Sequence, residues 1–403
     1  MSKTTESKES KESKLIRYQN YLNQDPDNVA LIMDLVPIYL QHNHLIQARQ
    51  LLDKLATLAL SFNETYQLAV WHLQMGEFPR AIELLASLYA HDQSDKNISF
   101  TLSFCYFQIA QYSDALKTFD EGGLDTSPER QHIILKARIL HALGEIKNAL
   151  SILEQNKETA QDDAEFCGVY ALLYADVNQL PRALVWMKKA LAINPMQQEA
   201  LLVENYLTLH EQDAQKAYQQ AKALIELNSK NARAWINFAT AYMLLGDLVK
   251  AYQACDQAVS LFPEFIGIWQ LKAWCELMQG MFINAKQSFT RAYKLDHNFA
   301  ESHGGLAIIA VLEADSDLAN SYIATAKKLH PHNISGNYAE ALVLQTQDPV
   351  KAQQKINEIK KYIPGVDQQK FDLLVQQLQA RNNRANKHLN DAHKTKNVKN
   401  QVK

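Results

Sequence analysis

An alanine returns every 34 residues along this chain, at Ala81, Ala115, Ala149, Ala183, Ala217, Ala251, Ala285 and Ala319. A fixed period of that length means that one supersecondary unit is copied along the chain, each copy burying its apolar face on the next. Ala48 and Ala352 extend the phase by one copy at each end, each displaced by one residue. Only 12 glycines and 10 prolines interrupt 403 residues, and no stretch alternates apolar and polar residues as a strand does.

The alanine has companions in fixed phase. Five residues before it stands a turn residue in several copies, at Gly76, Gly144, Asn178, Gly246 and Gly280. Twelve before it stands a small one, at Ala69, Ser103, Ala137, Ala171, Ala239, Ala273 and Ala307. Twelve after it comes a proline, at Pro195, Pro263 and Pro331. One copy carries the whole pattern: Trp235, Phe238, Ala239 and Tyr242, then Gly246, then Ala251, Cys255 and Ala258, then Pro263. This resembles the tetratricopeptide repeat, a helix–turn–helix unit with an early tryptophan, a later alanine and a closing proline. The resemblance covers residues 29–366.

The spacing alone predicts two helices per copy, with small residues where their backbones meet and proline at the ends. Pro79 and Pro181 fall in the first turn of the second helix, where a missing N–H costs nothing. The expected fold is all-α, a solenoid of about ten helix pairs, which the resemblance winds into a right-handed superhelix. Residues 1–14 read as a low-complexity disordered tail and 15–28 as an N-terminal capping helix. Residues 29–366 form the repeats, 367–380 a C-terminal capping helix and 381–403 a basic disordered tail. Four places depart from the pattern. Glu204 and Asn205 suggest a shifted or loosely packed helix, Pro37 a kink, and Gly304-Gly305 close backbone packing, while residues 96–129 end with Gly122-Gly123 in place of a continued helix.

Charge is uneven. The total of −3 combines about +1 on residues 1–14 and +6 on 381–403 with about −10 on the repeats. A basic tail of this kind is either a solvated end or a weak tether to nucleic acid or an anionic surface. The longest apolar run, Leu306–Leu312, is far short of a membrane span, and no secretory signal opens the chain. Cys105, Cys167, Cys255 and Cys275 stand singly in repeat helices, without a C-x-x-C. They read as buried packing residues in a reducing compartment, which places the chain in the cytoplasm.

No phosphate-binding loop, nucleophile elbow or metal-ligand spacing occurs, so no catalytic residue, cofactor or metal is expected. In the family that the repeat resembles, the first helix of each pair lines a concave groove. Carried across, those positions include Tyr66, Val70 and Leu73; Phe100, Phe104 and Phe107; Ile134, Arg138 and His141; Leu172; Leu202, Tyr206 and Leu209; Ile236, Thr240 and Met243; and Trp274 and Leu277. Tyr66, Phe100, Phe104, Phe107, Arg138, His141, Tyr206 and Trp274 are the candidate partner contacts. The face is apolar and lacks the lysine, arginine and asparagine clamp that family members use for a C-terminal carboxylate. Its side chains serve either a protein or peptide partner, extended or helical, or the packing of tightly wound repeats. A non-enzymatic scaffold is the leading reading, with cytosolic docking on a membrane machine as a variant. Regulation through nucleic acid contacted by the basic tail is the alternative.

Overall fold

The computed structural model describes residues 11–126 and 129–362, together with Gln376 and Ala380. Among the described residues the regular elements are helices, 21 α-helices and a 3-10 turn over Leu124–Thr126. They fall into two units, Met1–Leu173 and Tyr174–Lys403, taken here one at a time.

The first unit opens with α1 (Lys11–Gln24), which starts ahead of the expected Leu15. Leu15, Tyr18 and Leu22 lay its apolar side on Leu35, Tyr39 and Ala48, so it caps the first pair as expected. The pairs follow: α2 (Val29–Gln41) with α3 (Leu45–Leu55), α4 (Phe62–Gln74) with α5 (Phe78–His91), α6 (Lys96–Gln108) with α7 (Tyr112–Glu121), and α8 (Arg130–Ala142) with α9 (Ile146–Ala160). The chain crosses into the second unit within α10 (Ala164–Asp176), and α11 (Leu180–Ile193) follows. The second unit continues with α12 (Gln198–His210) and α13 (Ala214–Leu227), α14 (Ala232–Leu245) and α15 (Leu248–Leu261), and α16 (Ile266–Met278) and α17 (Phe282–Leu295). It ends with α18 (Ala300–Leu312) and α19 (Ser316–Leu329), then α20 (Ile334–Gln347) and α21 (Pro349–Tyr362). The expected C-terminal cap over 367–380, apart from Gln376 and Ala380, the basic tail over 381–403 and residues 1–10 of the N-terminal tail lie outside the described residues.

Within each unit a helix packs on its partner and on the helix that follows, which is the solenoid expected from the phase. The periodic alanine sits on the second helix of each pair, and from Ala48 to Ala319 it has no exposed surface. Its counterparts on the first helix, Ala69, Ser103, Ala137, Ala171, Asn205, Ala239, Ala273 and Ala307, are equally closed off. Two positions without bulk let the paired backbones approach, and the larger side chains fill the gaps beside them. Where the first-helix residue is polar, it donates to the partner helix, although the Oδ1 of Asn205 is left without a partner. Ser103 Oγ donates to the carbonyl of Ala115 at 2.8 Å, and Asn205 Nδ2 to that of Ala217 at 2.7 Å. The helix carrying Asn205 is therefore neither shifted nor loose. It keeps the common frame, because the amide supplies one of the contacts that a small residue leaves to van der Waals packing.

The joint between paired helices recurs as strictly. Asn43, Gly76, Ala110, Gly144, Asn178, Gln212, Gly246, Gly280 and Ala314 all adopt positive φ, and each precedes its alanine by five. The next residue's N–H then reaches back to an orphan helix carbonyl, as from Glu77 to His72 and from Glu145 to Leu140, both at 2.8 Å. Glycine or asparagine fills most of these joints because an L-residue with a Cβ is strained there. Pro79 and Pro181 lie in the first turns of α5 and α11 as expected. Pro37 is carried inside α2, which continues past it to Gln41.

Gly304 and Gly305 are explained by what they touch. A Cβ on Gly304 would lie 2.2 Å from the backbone nitrogen of Gly336, and one on Gly305 would lie 2.3 Å from the Phe289 ring. The first glycine lets α18 and α20 meet backbone to backbone, and the second accommodates an aromatic from α17. In consequence α18 is buried along almost its whole length.

Two buried ionisable groups have opposite tendencies. His132 is 3% exposed, with its ring 4.9 Å from that of Phe100 and 6.4 Å, edge-on, from that of Phe119. Its Nδ1 has no hydrogen-bond partner, and Glu129 is 3.7 Å from Nε2. Burial pushes the imidazole below its ordinary value; Lys96 adds to the shift and Glu129 opposes it. Glu276 is 1% exposed with Oε2 unsatisfied. Burial holds its carboxyl above the ordinary value, Asp256 adds to this, and Ser288 and Lys272 oppose it.

Three predictions rest on this packing. Relief of left-handed strain minus the added chain entropy should let Ala110→Gly, Gln212→Gly or Ala314→Gly stabilise by up to about 1 kcal/mol. The reverse change, Gly144→Ala, meets no neighbour and should cost about 1 kcal/mol. Urea midpoints moving the other way would show the joint to be unstrained. Gly304→Ala should instead cost about 1–3 kcal/mol by prising α18 from α20, and an unchanged melt would contradict that contact. The third concerns pH. The folded chain resists protonation of His132, so stability falls as pH drops through the imidazole range, and His132→Leu should flatten that loss between about pH 7 and pH 5. Folding favours the protonated form of Glu276, so stability falls as pH rises through the carboxylate range. Glu276→Gln should therefore stabilise at neutral pH, with the advantage vanishing below about pH 4. Melting curves across a pH series read both, and parallel curves for variants and parent would refute the assignment.

Candidate functional site

In the first unit α4, α6 and α8 lie in sequence, and their exposed side is set by helical spacing. Asn63, Tyr66, Gln67, Val70 and Gln74 recur at three- and four-residue steps on α4, as do Asn97, Phe100, Phe104 and Gln108 on α6, with Thr101 buried beside them. Tyr66 bridges the two helices, its hydroxyl 3.0 Å from that of Thr101. Thr101 in turn donates to the carbonyl of Asn97 at 2.7 Å, so the bridge is anchored to the backbone of α6.

The three phenylalanines of α6 do share a stripe, and they are half-buried. Phe100, Phe104 and Phe107 pack on the core formed by Ala115, Phe119, Leu124, Leu135 and Ile139. Phe100 covers His132, and the Phe107 ring lies 5.7 Å from that of Tyr112. Each ring thus presents one side to the next repeat and one side outward. Arg138 on α8 is held by Glu165, Nη1 to Oε2 at 3.0 Å, so its guanidinium is already neutralised. His141 follows one turn later on the same helix, half-buried. Ile134, also assigned to this face, is buried instead.

The sequence reasoning missed the amides. Asn63, Gln74, Asn97 and Gln108 are exposed, and none has a side-chain hydrogen-bond partner among the described residues. Gln131, at the equivalent place on α8, is exposed and bonded to Glu129 at 2.8 Å. Their 34-residue register was visible in the sequence (Asn63, Asn97, Gln131), but an uncharged polar residue on a helix face looks like ordinary solvated surface until its neighbours are known.

In the second unit the chain's own side chains bridge parts of the corresponding face, and Ile236, Thr240 and Met243 on it are half-buried. Arg233 of α14 makes a two-pronged ion pair with Asp176 of α10, both contacts at 2.8 Å, reaching past the intervening α12. Tyr206 of α12 is half-buried beneath this level and packs edge-on against His210 at 4.6 Å. Burial and the nearby Asp176 carboxylate raise its phenol above the ordinary value. Trp274 of α16 lies edge-on to Phe289 at 6.3 Å and within 6.4 Å of Tyr338 of α20, again across an intervening helix. Leu202, Leu209 and Leu277, assigned to the same face, are buried. The eight candidate contacts therefore separate. Tyr66, Phe100, Phe104, Phe107, Arg138 and His141 share one run of helices in the first unit, while Tyr206 and Trp274 serve packing in the second.

Among the described residues no cluster of three or more His, Cys, Asp or Glu side chains is placed to hold a metal ion. None of the described helices is long and apolar enough to cross a membrane.

Comparison with known proteins agrees with this architecture. Residues 72–139 and 208–275 match the family model of the tetratricopeptide repeat. The human Protein O-mannosyl-transferase TMTC1 (Homo sapiens) is 23% identical over 168 residues, 40% of this chain and 19% of that protein. The General transcriptional corepressor trfA of Dictyostelium discoideum is 27% identical over 132 residues, 32% of this chain and 10% of that protein. The chain thus spans a fifth or less of the length of these relatives. Among solved structures, the APC/C hetero-tetramer Cut9-Hcn1 aligns over 90% of this chain and 81% of its own, with 14% identity and a TM-score of 0.42. PilF of Pseudomonas aeruginosa aligns over 53% and 96%, with 17% identity and a TM-score of 0.41. With the family model matching in both units and the same alanine phase running through ten helix pairs, the chain folds as a tetratricopeptide-repeat solenoid.

Proposed function

We propose that this protein is a non-enzymatic scaffold of the cytoplasm, and that the exposed side of α4, α6 and α8 receives an extended, uncharged segment of a partner protein. The observation that carries the reading is the row of unpaired amides beside half-buried aromatics. An amide side chain donates and accepts at once, which matches the N–H and C=O of an extended backbone. A helical ligand satisfies its own backbone groups and leaves such amides idle. The aromatics Tyr66, Phe104 and Phe107 supply apolar area between them, with little conformational freedom left to lose. The one cation expected to orient a charged ligand, Arg138, is held by Glu165, which favours a ligand without a carboxylate.

The test uses peptides selected from a random phage-displayed library on the full chain. The selected peptides should be uncharged and compatible with proline, and should bind with affinity insensitive to salt. Asn97→Ala and Gln108→Ala, both at exposed positions, should each weaken binding by about fivefold to tenfold without altering the melt. Phe104→Ala should cost about 2 kcal/mol of binding. Enrichment of amphipathic helices or of acidic C-termini, or full binding by folded Asn97→Ala and Gln108→Ala, would reject this reading.

A further inference from the structure

The four cysteines are buried free thiols, and two of them share one core cluster. Cys255 on α15 and Cys275 on α16 belong to one core cluster, with Ala239, Ala251 and Ala254 around them. α15 packs directly on α16 at this point, so the cluster spans the two helices. Their place in the repeat is specific. Cys255 is the fourth residue after its alanine, and Cys275 lies on the first helix of the next copy. The same two positions hold Phe119 and Ile139 in one earlier copy and Phe289 and Ile309 in the following one, each pair sharing a core cluster. The contact is therefore the standing seam between consecutive repeats, and here alone among these copies both sides of it are thiols.

We propose that Cys255 and Cys275 are an oxidation site, at which a peroxide links the two sulfurs into a disulfide that fastens α15 to α16. With hydrogen peroxide the atoms balance in two steps. One thiol, losing its proton, attacks an oxygen of the peroxide. The O–O bond breaks, a sulfenic acid forms and water leaves. The second thiol then attacks the sulfenic sulfur, the S–O bond breaks and a second water leaves. Two electrons pass from the sulfurs to the peroxide, and a dithiol reductant reverses the change.

Access sets the rate. In the closed stack both thiols are shielded, so attack there is slow. Repeats lean only on their neighbours, and a single seam can open without unfolding the rest. Opening of the α15–α16 seam exposes one thiol, and reclosing returns the other to contact distance, where the second step is intramolecular. Cys105 and Cys167 are internal controls. The partners of Cys105 in its cluster are aliphatic and aromatic, and Cys167 bonds to the carbonyl of Gln161 at 3.4 Å.

The experiment treats the full chain with hydrogen peroxide, then unfolds and alkylates it for mass spectrometry. The expected product has lost two hydrogens, carries alkyl groups on Cys105 and Cys167, and yields a peptide joining Cys255 to Cys275 that dithiothreitol separates. Cys255→Ala and Cys275→Ala, which keep the seam apolar, should each abolish that product. In the oxidised chain, amide exchange across α15 and α16 should slow by about tenfold or more, while that of α6 stays unchanged. Four alkylatable thiols after treatment, a sulfinic acid at one cysteine without the link, or cross-links that engage Cys105 or Cys167 equally would each overturn the proposal.

Discussion

The closest approach of the paired helices carries the rest of the structure. A residue without bulk on the first helix meets the periodic alanine of the second, and neither retains exposed surface. That contact fixes the distance between the two backbones, and the distance determines which larger side chains fit beside it. Ser103 and Asn205 show how firm the requirement is. Where a polar residue occupies the position, its side chain bonds to the alanine carbonyl rather than forcing the helices apart. The left-handed joint serves the same end, turning the chain in the shortest distance that still satisfies the helix carbonyls.

From this constraint follows a division of labour between faces. The second helices meet the first helices of the next copy through residues such as Phe119, Cys255 and Phe289, so core clusters run from repeat to repeat within a unit. The remaining side of the first helices is free to vary. In the first unit it carries amides and half-buried aromatics. In the second it is bridged in part by Asp176 with Arg233 and by Trp274 with Tyr338. Gly304 takes the contact furthest, because two backbones in contact leave no room for anything between them.

The two units therefore offer different things to a partner. A face that already pairs its charges and stacks its own rings has little left to give, and its worth is rigidity. A face whose amides lack partners retains hydrogen-bonding capacity that water satisfies until something better arrives. The thiol pair belongs to neither face. It sits in the seam, where a covalent bond would act on the coupling between neighbouring repeats.

The amino-acid sequence by itself determined the helix pairs, their frame and their joints, because each depends on residues within one 34-residue copy. Ala251 with Ala239 and Gly246 is readable as a motif since all three act inside one hairpin. Burial of Ile134, Leu202 and Leu277, the ion pair of Asp176 with Arg233 and the sharing of one core cluster by Cys255 and Cys275 were decided only by the tertiary structure. These contacts join different copies, and helical spacing within a copy says which side a residue is on but not what the next copies lay over it. For the same reason the sequence did not show that Phe104 packs on the core of the next repeat while Trp274 meets a ring two repeats away.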